Sequence, residues 1–268
     1  MKRKVCVLIF ASIILMASCY KVPISGRRQV NMIPESDMIA MALTNYNDFL
    51  TQNPPVPDND ANAQLVKTVG NKIAQAVESF MKSKGLSSRI AGYQWEFNLV
   101  NENTVNAWCM PGGKVVVYSG LLPVTQTEAA LACVMGHEIA HAVARHGNER
   151  MSQGLLVQFG GIALDVALSQ KSQLTRDLFA QSYGISSQLG MLKYSRVHES
   201  EADKLGIVFM AIAGYDPQEA VAFWERMAAA TGGNKPPELL STHPSDDTRI
   251  KDIKAFLPEA MKYYKQYN

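Results

Sequence analysis

The sequence predicts a helix-rich α+β protein. Apolar residues recur at helical spacing over most of the 268 residues, and a short stretch near residues 95–119 alternates apolar and polar residues as strands do. Runs of Pro and Gly separate these segments. With 47% hydrophobic and 19% charged residues, the composition is that of a globular protein and excludes a disordered or fibrous chain.

The first eighteen residues resemble an export signal. Three basic residues at positions 2–4 precede an apolar stretch over residues 5–16, which is too short to span a bilayer stably. The small residues that follow lead to Cys19, in a pattern that resembles the lipobox of bacterial lipoproteins. We therefore predict a lipoprotein signal peptide over residues 1–18, with lipidation of Cys19. A plain secretory signal with an incidental cysteine is the alternative.

This interpretation determines the expected partners and location. Two or more acyl chains form a stable membrane anchor. By resemblance to Gram-negative lipoproteins, we expect the periplasmic face of the bacterial outer membrane. Without the leader, 23 basic residues face 24 acidic residues, so we expect no nucleic-acid partner. Cys109 and Cys133 would remain, either as a disulfide or as two buried thiols.

The N-terminal part of the mature chain reads as a lipidated tether and a helix, over residues 19–59. We expect residues 20–34 to be the tether and residues 34–52 the helix, before a Pro-rich turn. Asp60 is placed to cap a second helix that Gly85 ends, and residues 60–268 form the main domain.

Three short strands are expected next, at residues 95–100, 105–110 and 114–119. A Pro-Gly-Gly turn joins the last two. We predict a small antiparallel sheet with one edge available for pairing.

The rest of the chain is predicted to be helical. A capping box from Thr125 to Glu128 opens a helix that runs to about residue 145. Residues 155–168 are apolar but too short and too polar to cross a membrane, and residues 171–188 read as a flap. Further helices are expected at residues 193–213 and 217–230 and from about residue 246, with a loop at residues 232–237.

The motif His137-Glu138-Ile139-Ala140-His141 lies inside the capped helix. Residues four apart share a helix face, so both imidazoles can reach one metal ion. Glu138 stands beside the first His and is not needed as a ligand. A carboxylate in that position can accept a proton from a water at the metal.

A catalytic zinc needs a third protein ligand. His198, Glu199 and Glu201 are all candidates, in the stretch that ends at Asp203. Periodicity favours Glu199, because Glu199 and Asp203 are four apart on one face. A carboxylate one turn beyond a ligand is where a partner for a ligating imidazole would lie.

These motifs together resemble the HExxH…ExxxD signature of gluzincin metallopeptidases of the CAAX-prenyl-protease and HtpX-like type, which include bacterial periplasmic lipoprotein proteases and mitochondrial Oma-type enzymes. The resemblance covers most of residues 60–260. It implies a zincin-like fold in which the small sheet packs against the active-site helix. It also implies that Glu199 is the third ligand and that Asp203 orients a zinc-bound imidazole.

Two further segments carry the same resemblance. Asn106, Ala107 and Trp108 begin a stretch similar to the family's N-A-x-x-x-P-G-G strand and turn, which implies a strand edge for substrate. His243 and Arg249 fit its H-P-x-x-x-x-R element. The resemblance implies that His243 steadies the oxyanion or gates the open metal position, and that Arg249 holds His243 or the substrate carbonyl. His146, by contrast, reads as a helix-end charge.

The sequence therefore predicts an endopeptidase with one Zn²⁺ per chain. His137, His141 and Glu199 are the expected ligands, and Glu138 and His243 the expected catalytic residues. Sequence-tolerant strand pairing suits unfolded or misassembled envelope proteins as substrates, in quality control. A zinc-binding chaperone without activity, or a scaffold lipoprotein, is the alternative.

Overall fold

A computed structural model describes residues 19–159, 173–183, 195–229, 239–240, 243 and 247–267. The predicted signal peptide, the loop at residues 232–237 and parts of the segments 155–168 and 171–188 lie outside these residues. None of the helices in the described ranges is both long and apolar enough to cross a membrane.

The described elements are five strands and nine helices, with two short 3₁₀ turns. The strands are β1 (Cys19–Lys21), β2 (Arg28–Val30), β3 (Glu96–Val100), β4 (Ala107–Met110) and β5 (Lys114–Tyr118). The helices are α1 (Glu35–Gln52), α2 (Ala61–Ser83), α3 (Leu122–Thr125), α4 (Glu128–Ala144), α5 (His146–Phe159), α6 (Gln173–Tyr183), α7 (Arg196–Ile212), α8 (Glu219–Ala229) and α9 (Asp247–Tyr267). Short 3₁₀ turns occur at Ser87–Ile90 and Ser119–Leu121. The helix-rich α+β class is confirmed.

The three-stranded sheet is mixed, which corrects the predicted antiparallel arrangement. Its order is β3-β5-β4, with β3 parallel and β4 antiparallel to β5. The Pro-Gly-Gly turn reverses the chain after β4, and Gly112 and Gly113 adopt φ of 85° and 81°, which glycine tolerates. The last strand thereby enters between the first two. Because β3 and β4 run in opposite directions, β5 is antiparallel to one of them and parallel to the other.

The sheet divides two apolar layers. Phe97, Cys109 and Val115 belong to the main core that α2, α4 and α7 complete. On the opposite face Trp108 and Val116 pack with residues of α1, α5 and α6. The alternation along each strand assigns neighbouring side chains to opposite layers. Cys109 and Cys133 are buried free thiols, so they form no disulfide.

The segment predicted as a tether is packed onto the body of the protein. β1 and β2 pair as an antiparallel hairpin, and Val22 and Gln29 within it are 1% and 2% exposed. The sequence suggested a tether because this segment is short and lacks a long periodic pattern. Lipidation of Cys19, the first residue of β1, stays a prediction.

The N-cap of helix α4 lies two residues after the predicted one. Thr127 is the N-cap, and its side chain accepts a hydrogen bond from Ala130 N at 3.1 Å. Thr125 instead ends the short helix α3 and donates to the Leu122 carbonyl. The two helices are separated by Gln126, whose φ is 64°. The predicted capping box from Thr125 is therefore wrong, because the preceding residues form a helical turn of their own.

Two glycines let α4 and α7 touch. A Cβ at Gly206 would lie 2.7 Å from the His137 nitrogen, and one at Gly136 would lie 2.9 Å from the Gly206 carbonyl oxygen. Both distances are shorter than carbon contacts allow. The close crossing places His137 of α4 directly beside α7.

We expect Gly206→Ala to separate these helices and to lower the free energy of unfolding by about 1–3 kcal/mol, as overpacking does. Urea unfolding of the variant and the wild type measures this loss. Gly154→Ala is the matched control, since a Cβ there meets only the flexible Leu178 side chain at 3.3 Å. Equal stability of the two variants would contradict the tight crossing.

Candidate metal centre

Four buried side chains bring their donor atoms together between α4, α7 and the segment before α9. Each of them offers one ligand atom, and these atoms all lie within 4.8 Å of one another: His137, His141, Glu199 and His243. The Nε2 atoms of His137 and His141 are 3.1 Å apart. Glu199 Oε1 is 3.1 Å from His243 Nδ1 and 3.5 Å from His141 Nε2. Three nitrogens and one carboxylate oxygen are donors that zinc prefers, so the residues fit this ion.

Two helices and His243, which precedes α9, produce this convergence. All residues from Ala130 to Ala144 are buried, so both imidazoles of α4 point into the protein. α7 supplies Glu199 from its first turn. His243 is held by its backbone N–H, which donates to Leu239 O at 2.9 Å, while Leu239 N donates to Val105 O at 3.2 Å.

Glu138 lies at the edge of the donor set. It is 4% exposed, and its Oε1 accepts no hydrogen bond from any described residue. The Nε2 atom of His243 lies 3.5 Å from that oxygen. Burial raises the pKa of Glu138. A carboxyl with a raised pKa and an unused oxygen is suited to accept and release a proton.

Asp203 and Arg249 form a buried pair behind His137. Asp203 Oδ1 is 2.9 Å from His137 Nδ1, and Arg249 donates to both Asp203 oxygens at 2.8 and 2.7 Å. Although burial alone would raise the pKa of Asp203, the Arg249 charge keeps it below its usual value. The guanidinium carbon of Arg249 lies 3.4 Å from the centre of the Trp224 ring. Arg249 also lies 3.2 Å from Glu199 Oε2. It therefore contacts the predicted ligand Glu199 directly and supports His137 through Asp203.

The two imidazoles of α4 differ in pKa. Burial alone would lower the pKa of His137, but hydrogen bonds to Asp203 and Glu199 raise it to about 9. Burial and the neighbouring His137 lower the pKa of His141 well below its usual value. Without a metal, His137 therefore carries the proton of this pair.

The three candidates for the third ligand separate in space. Glu199 faces the imidazoles. Glu201 and His198 instead form a second polar cluster, in which Glu201 pairs with His146 and His198 pairs with Glu149. The sequence analysis missed this cluster and interpreted His146 as a helix-end charge. His146 Nδ1 is 3.0 Å from His141 Nδ1. Arg145 has φ of 62° and ends α4, and this turn returns His146 towards the metal centre. No sequence signal identifies that bend, since Arg seldom adopts positive φ.

The predicted substrate strand lies at the edge of the sheet. In the described part of the chain, β4 pairs with β5 alone. Asn106, Ala107 and Trp108 are all buried, and the Asn106 side chain accepts a hydrogen bond from Ala107 N. The Trp108 ring packs edge-on against Phe49, with ring centres 5.0 Å apart. Only the backbone edge of this strand is therefore suited to meet a peptide.

An HExxH helix against a small sheet, with a carboxylate donor from a following helix, defines a zincin-like metallopeptidase. A model of peptidase family M48 matches residues 68–257. The match covers more than half of the chain, and the chain belongs to this family, whose metal is zinc.

Named relatives are consistent with that membership. The chain is 34% identical over 240 residues to mitochondrial metalloendopeptidase OMA1 of Schizosaccharomyces pombe, covering 89% of this chain and 66% of the relative. It is 33% identical over 210 residues to the Saccharomyces cerevisiae protein of that name, covering 74% and 57%. The beta-barrel assembly-enhancing protease of Escherichia coli (strain K12) is 30% identical over 164 residues, covering 60% and 34%. The chain thus spans only part of the length of these relatives.

The comparisons overturn the predicted location. The relatives with 33–35% identity are mitochondrial proteins of eukaryotes, and the bacterial relatives match at 29–30%. The predicted lipid-anchored position on the periplasmic face of the bacterial outer membrane is therefore wrong. It depended on a leader pattern that lies outside the described residues and the family match.

Without a metal, the raised pKa of His137 should make the stability of the protein depend on pH. A group whose pKa is raised by folding stabilises the protein below its unfolded value and loses that stabilisation as the pH rises. We expect the metal-free protein to lose unfolding free energy as the pH rises from about 6.5 to about 9, by at most about 1.4 kcal/mol per pH unit. Urea unfolding in the presence of a chelator measures this slope.

The zinc-loaded protein should lack this slope, because a metal-bound imidazole is neutral. Metal-free His137→Ala should lack it as well and is the control for other titrating groups. Parallel slopes in all three samples would contradict the assignment of the raised pKa to His137.

Proposed function

We propose that this chain is a zinc-dependent endopeptidase that cleaves peptide bonds in unfolded or misassembled proteins. The observation that carries the proposal is the convergence of His137, His141 and Glu199, whose donor atoms lie within 4.8 Å of one another, with Glu138 beside them. A purely structural zinc site needs no free carboxylate, and this argues against a silent chaperone or scaffold.

The proposed mechanism assigns one role to each residue. Bound zinc supplies Lewis acidity, which activates water and polarises the scissile carbonyl. Glu138 accepts the proton of the attacking water and then delivers it to the leaving amine. Asp203 keeps the His137 ring oriented through Nδ1, and Arg249 holds Asp203 in the charged form.

His243 has two possible roles in this mechanism. Its Nε2 is 3.5 Å from Glu138, near where the oxyanion of a tetrahedral intermediate would need a donor. Its Nδ1 also belongs to the donor set, and a catalytic zinc requires a position open to water. We propose that His243 fills this position in the closed form of the site and leaves when substrate enters.

The substrate class follows from the strand edge. A peptide that pairs with the outer edge of β4 would use backbone hydrogen bonds, which tolerate many sequences. That tolerance suits quality control better than cleavage at one defined sequence. Because three bacterial relatives are named beta-barrel assembly-enhancing protease, envelope proteins are the first substrates to test. A compact member of the Oma-type branch is the family position that we propose.

Glu138→Gln should keep stoichiometric zinc and lose casein hydrolysis by about 100-fold or more, because the amide cannot take up the proton. Zinc is measured by elemental analysis and hydrolysis by peptide release. Glu128→Gln, an exposed substitution on the same helix, is the matched control. A Glu138→Gln variant that still hydrolyses casein would exclude the proposed base, and a wild type without zinc would favour the scaffold.

His243→Ala should keep zinc on the three remaining donors and raise the rate of casein hydrolysis, because the fourth position is then open. Zinc content and hydrolysis are measured as for Glu138→Gln. A fall in kcat of ten-fold or more with unchanged zinc would instead assign His243 to the oxyanion and remove the proposed closing role.

A further inference from the structure

A second cluster of charged residues lies directly behind the metal centre. Its members come from the β1–β2 hairpin, the start of α5 and the start of α7, and all but Arg27 are at most 5% exposed. We call it the outer cluster: Arg27, His146, Glu149, His198 and Glu201. The sequence analysis considered His198 and Glu201 only as alternatives to Glu199 for the third ligand, and it gave the other three residues no part in the site.

Hydrogen bonds connect the outer cluster to the metal ligand His141. The Nε2 atom of His141 faces the other donors, so its Nδ1 carries the proton. That Nδ1 lies 3.0 Å from His146 Nδ1, which must therefore accept. The proton of His146 is then on Nε2, which donates to Glu201 Oε2 at 3.0 Å. When the hydrogen bonds are donated in one direction, from His141 through His146 to Glu201, each donor in this series meets an acceptor.

Arg27 binds the last acceptor of this hydrogen-bond series, Glu201. It donates to Glu201 through Nε and a terminal nitrogen, each at 2.9 Å. It also donates to both oxygens of Glu149 at 2.7 Å. Glu149 in turn meets His198 Nε2 at 3.1 Å, and the His198 ring stacks on His146 with centres 4.5 Å apart. A single guanidinium thus holds both carboxylates, and each carboxylate holds one ring of the stacked pair.

The outer cluster is not a second metal site. Among the described residues, one group of His, Cys, Asp or Glu converges closely enough to hold an ion, and it is the metal centre. In the outer cluster the Arg27 guanidinium lies between the two carboxylates, where it balances their charge. Its planar fork suits two carboxylates at once.

The hairpin that carries Arg27 is attached to the end of α4. The Gln29 side chain donates to Ala144 O at 2.8 Å, and Arg89 donates to Ala144 O at 3.0 Å and to Lys21 O at 3.1 Å. Farther on, Met32 N donates to Ser152 Oγ of α5 at 2.9 Å. These contacts hold the hairpin on both sides of the bend at Arg145.

We propose that Arg27 is a positioning residue for the metal centre, acting through Glu201 and His146 on the orientation of His141. Docking of the β1–β2 hairpin then sets how tightly the centre holds its metal. This inference rests on the metal-binding role of His141 in the proposed function. The inference gives the β1–β2 hairpin a part in the metal centre, although the sequence predicts this segment to be a tether.

The test measures zinc affinity in the full-length chain, by competition with a chromogenic chelator. Partners behind a metal ligand typically contribute about 10–100-fold in affinity. We expect Arg27→Met to weaken zinc binding by about ten-fold, and Glu201→Gln to weaken it at least as much. Arg27→Lys should recover part of the loss. Arg28→Met, an exposed neighbour on β2, is the matched control and should stay within about two-fold of wild type.

A double-substitution cycle distinguishes positioning from general loosening. In a His146→Ala background, Arg27→Met should have no further effect on zinc affinity, because the connection to His141 is already broken. The visible spectrum of the Co²⁺-loaded protein should change in Arg27→Met and be unchanged in Arg28→Met.

Two results would overturn the inference: wild-type zinc affinity in both Arg27→Met and Glu201→Gln, or additive losses in the double variant. A wild type that binds no zinc would overturn the proposed function, and the inference with it. Wild-type binding with additive losses would overturn the inference alone.

Discussion

The contact between α4 and α7 at Gly136 and Gly206 is the constraint on which the site depends. α4 carries the two imidazoles and α7 carries Glu199, and the backbone contact between the two helices brings these donors together. The absence of side chains at the crossing brings Asp203, one turn beyond Glu199, against His137. One steric condition therefore places both a predicted ligand and the residue that orients another.

Charge burial is the second constraint. The metal centre places Glu138, Glu199 and Asp203 in the interior with little exposure. Unpaired charges would be costly there. Arg249 compensates the inner pair of carboxylates, and Arg27 compensates the outer pair formed by Glu149 and Glu201. Hydrogen bonds from His146 and Arg27 lower the pKa of Glu201 to about 2, although burial alone would raise it. The two arginines that balance these carboxylates, Arg27 and Arg249, lie far apart in the sequence.

The proposed closed form of the site would connect the metal centre to the edge of the sheet. His243 is 3% exposed and lies among the donors, and the segment that carries it is bonded to Val105 just before β4. The same strand is the proposed peptide edge. Entry of a peptide along β4 and displacement of His243 would therefore involve the same region of the molecule. This arrangement would restrict hydrolysis to chains that can pair with that edge.

The sequence by itself determined the helix-rich α+β class, most element positions and the HExxH helix. These depend on local periodicity, caps and turns, which a short window of residues contains. Helix α2 shows this well, since it begins after the Asp60 cap and ends just before Gly85, whose φ is 67°. The choice of Glu199 among three neighbours was favoured by helical spacing, because that spacing defines a face.

Only the tertiary structure established the mixed sheet, the docked hairpin and the outer cluster. Each depends on residues far apart in the chain, such as Arg27 and Glu201, or on a backbone bend at Arg145 that its residue type does not predict. Spacing along a helix identifies which side chains share a face. What that face meets is determined by long-range packing, for which a single sequence carries no local signal.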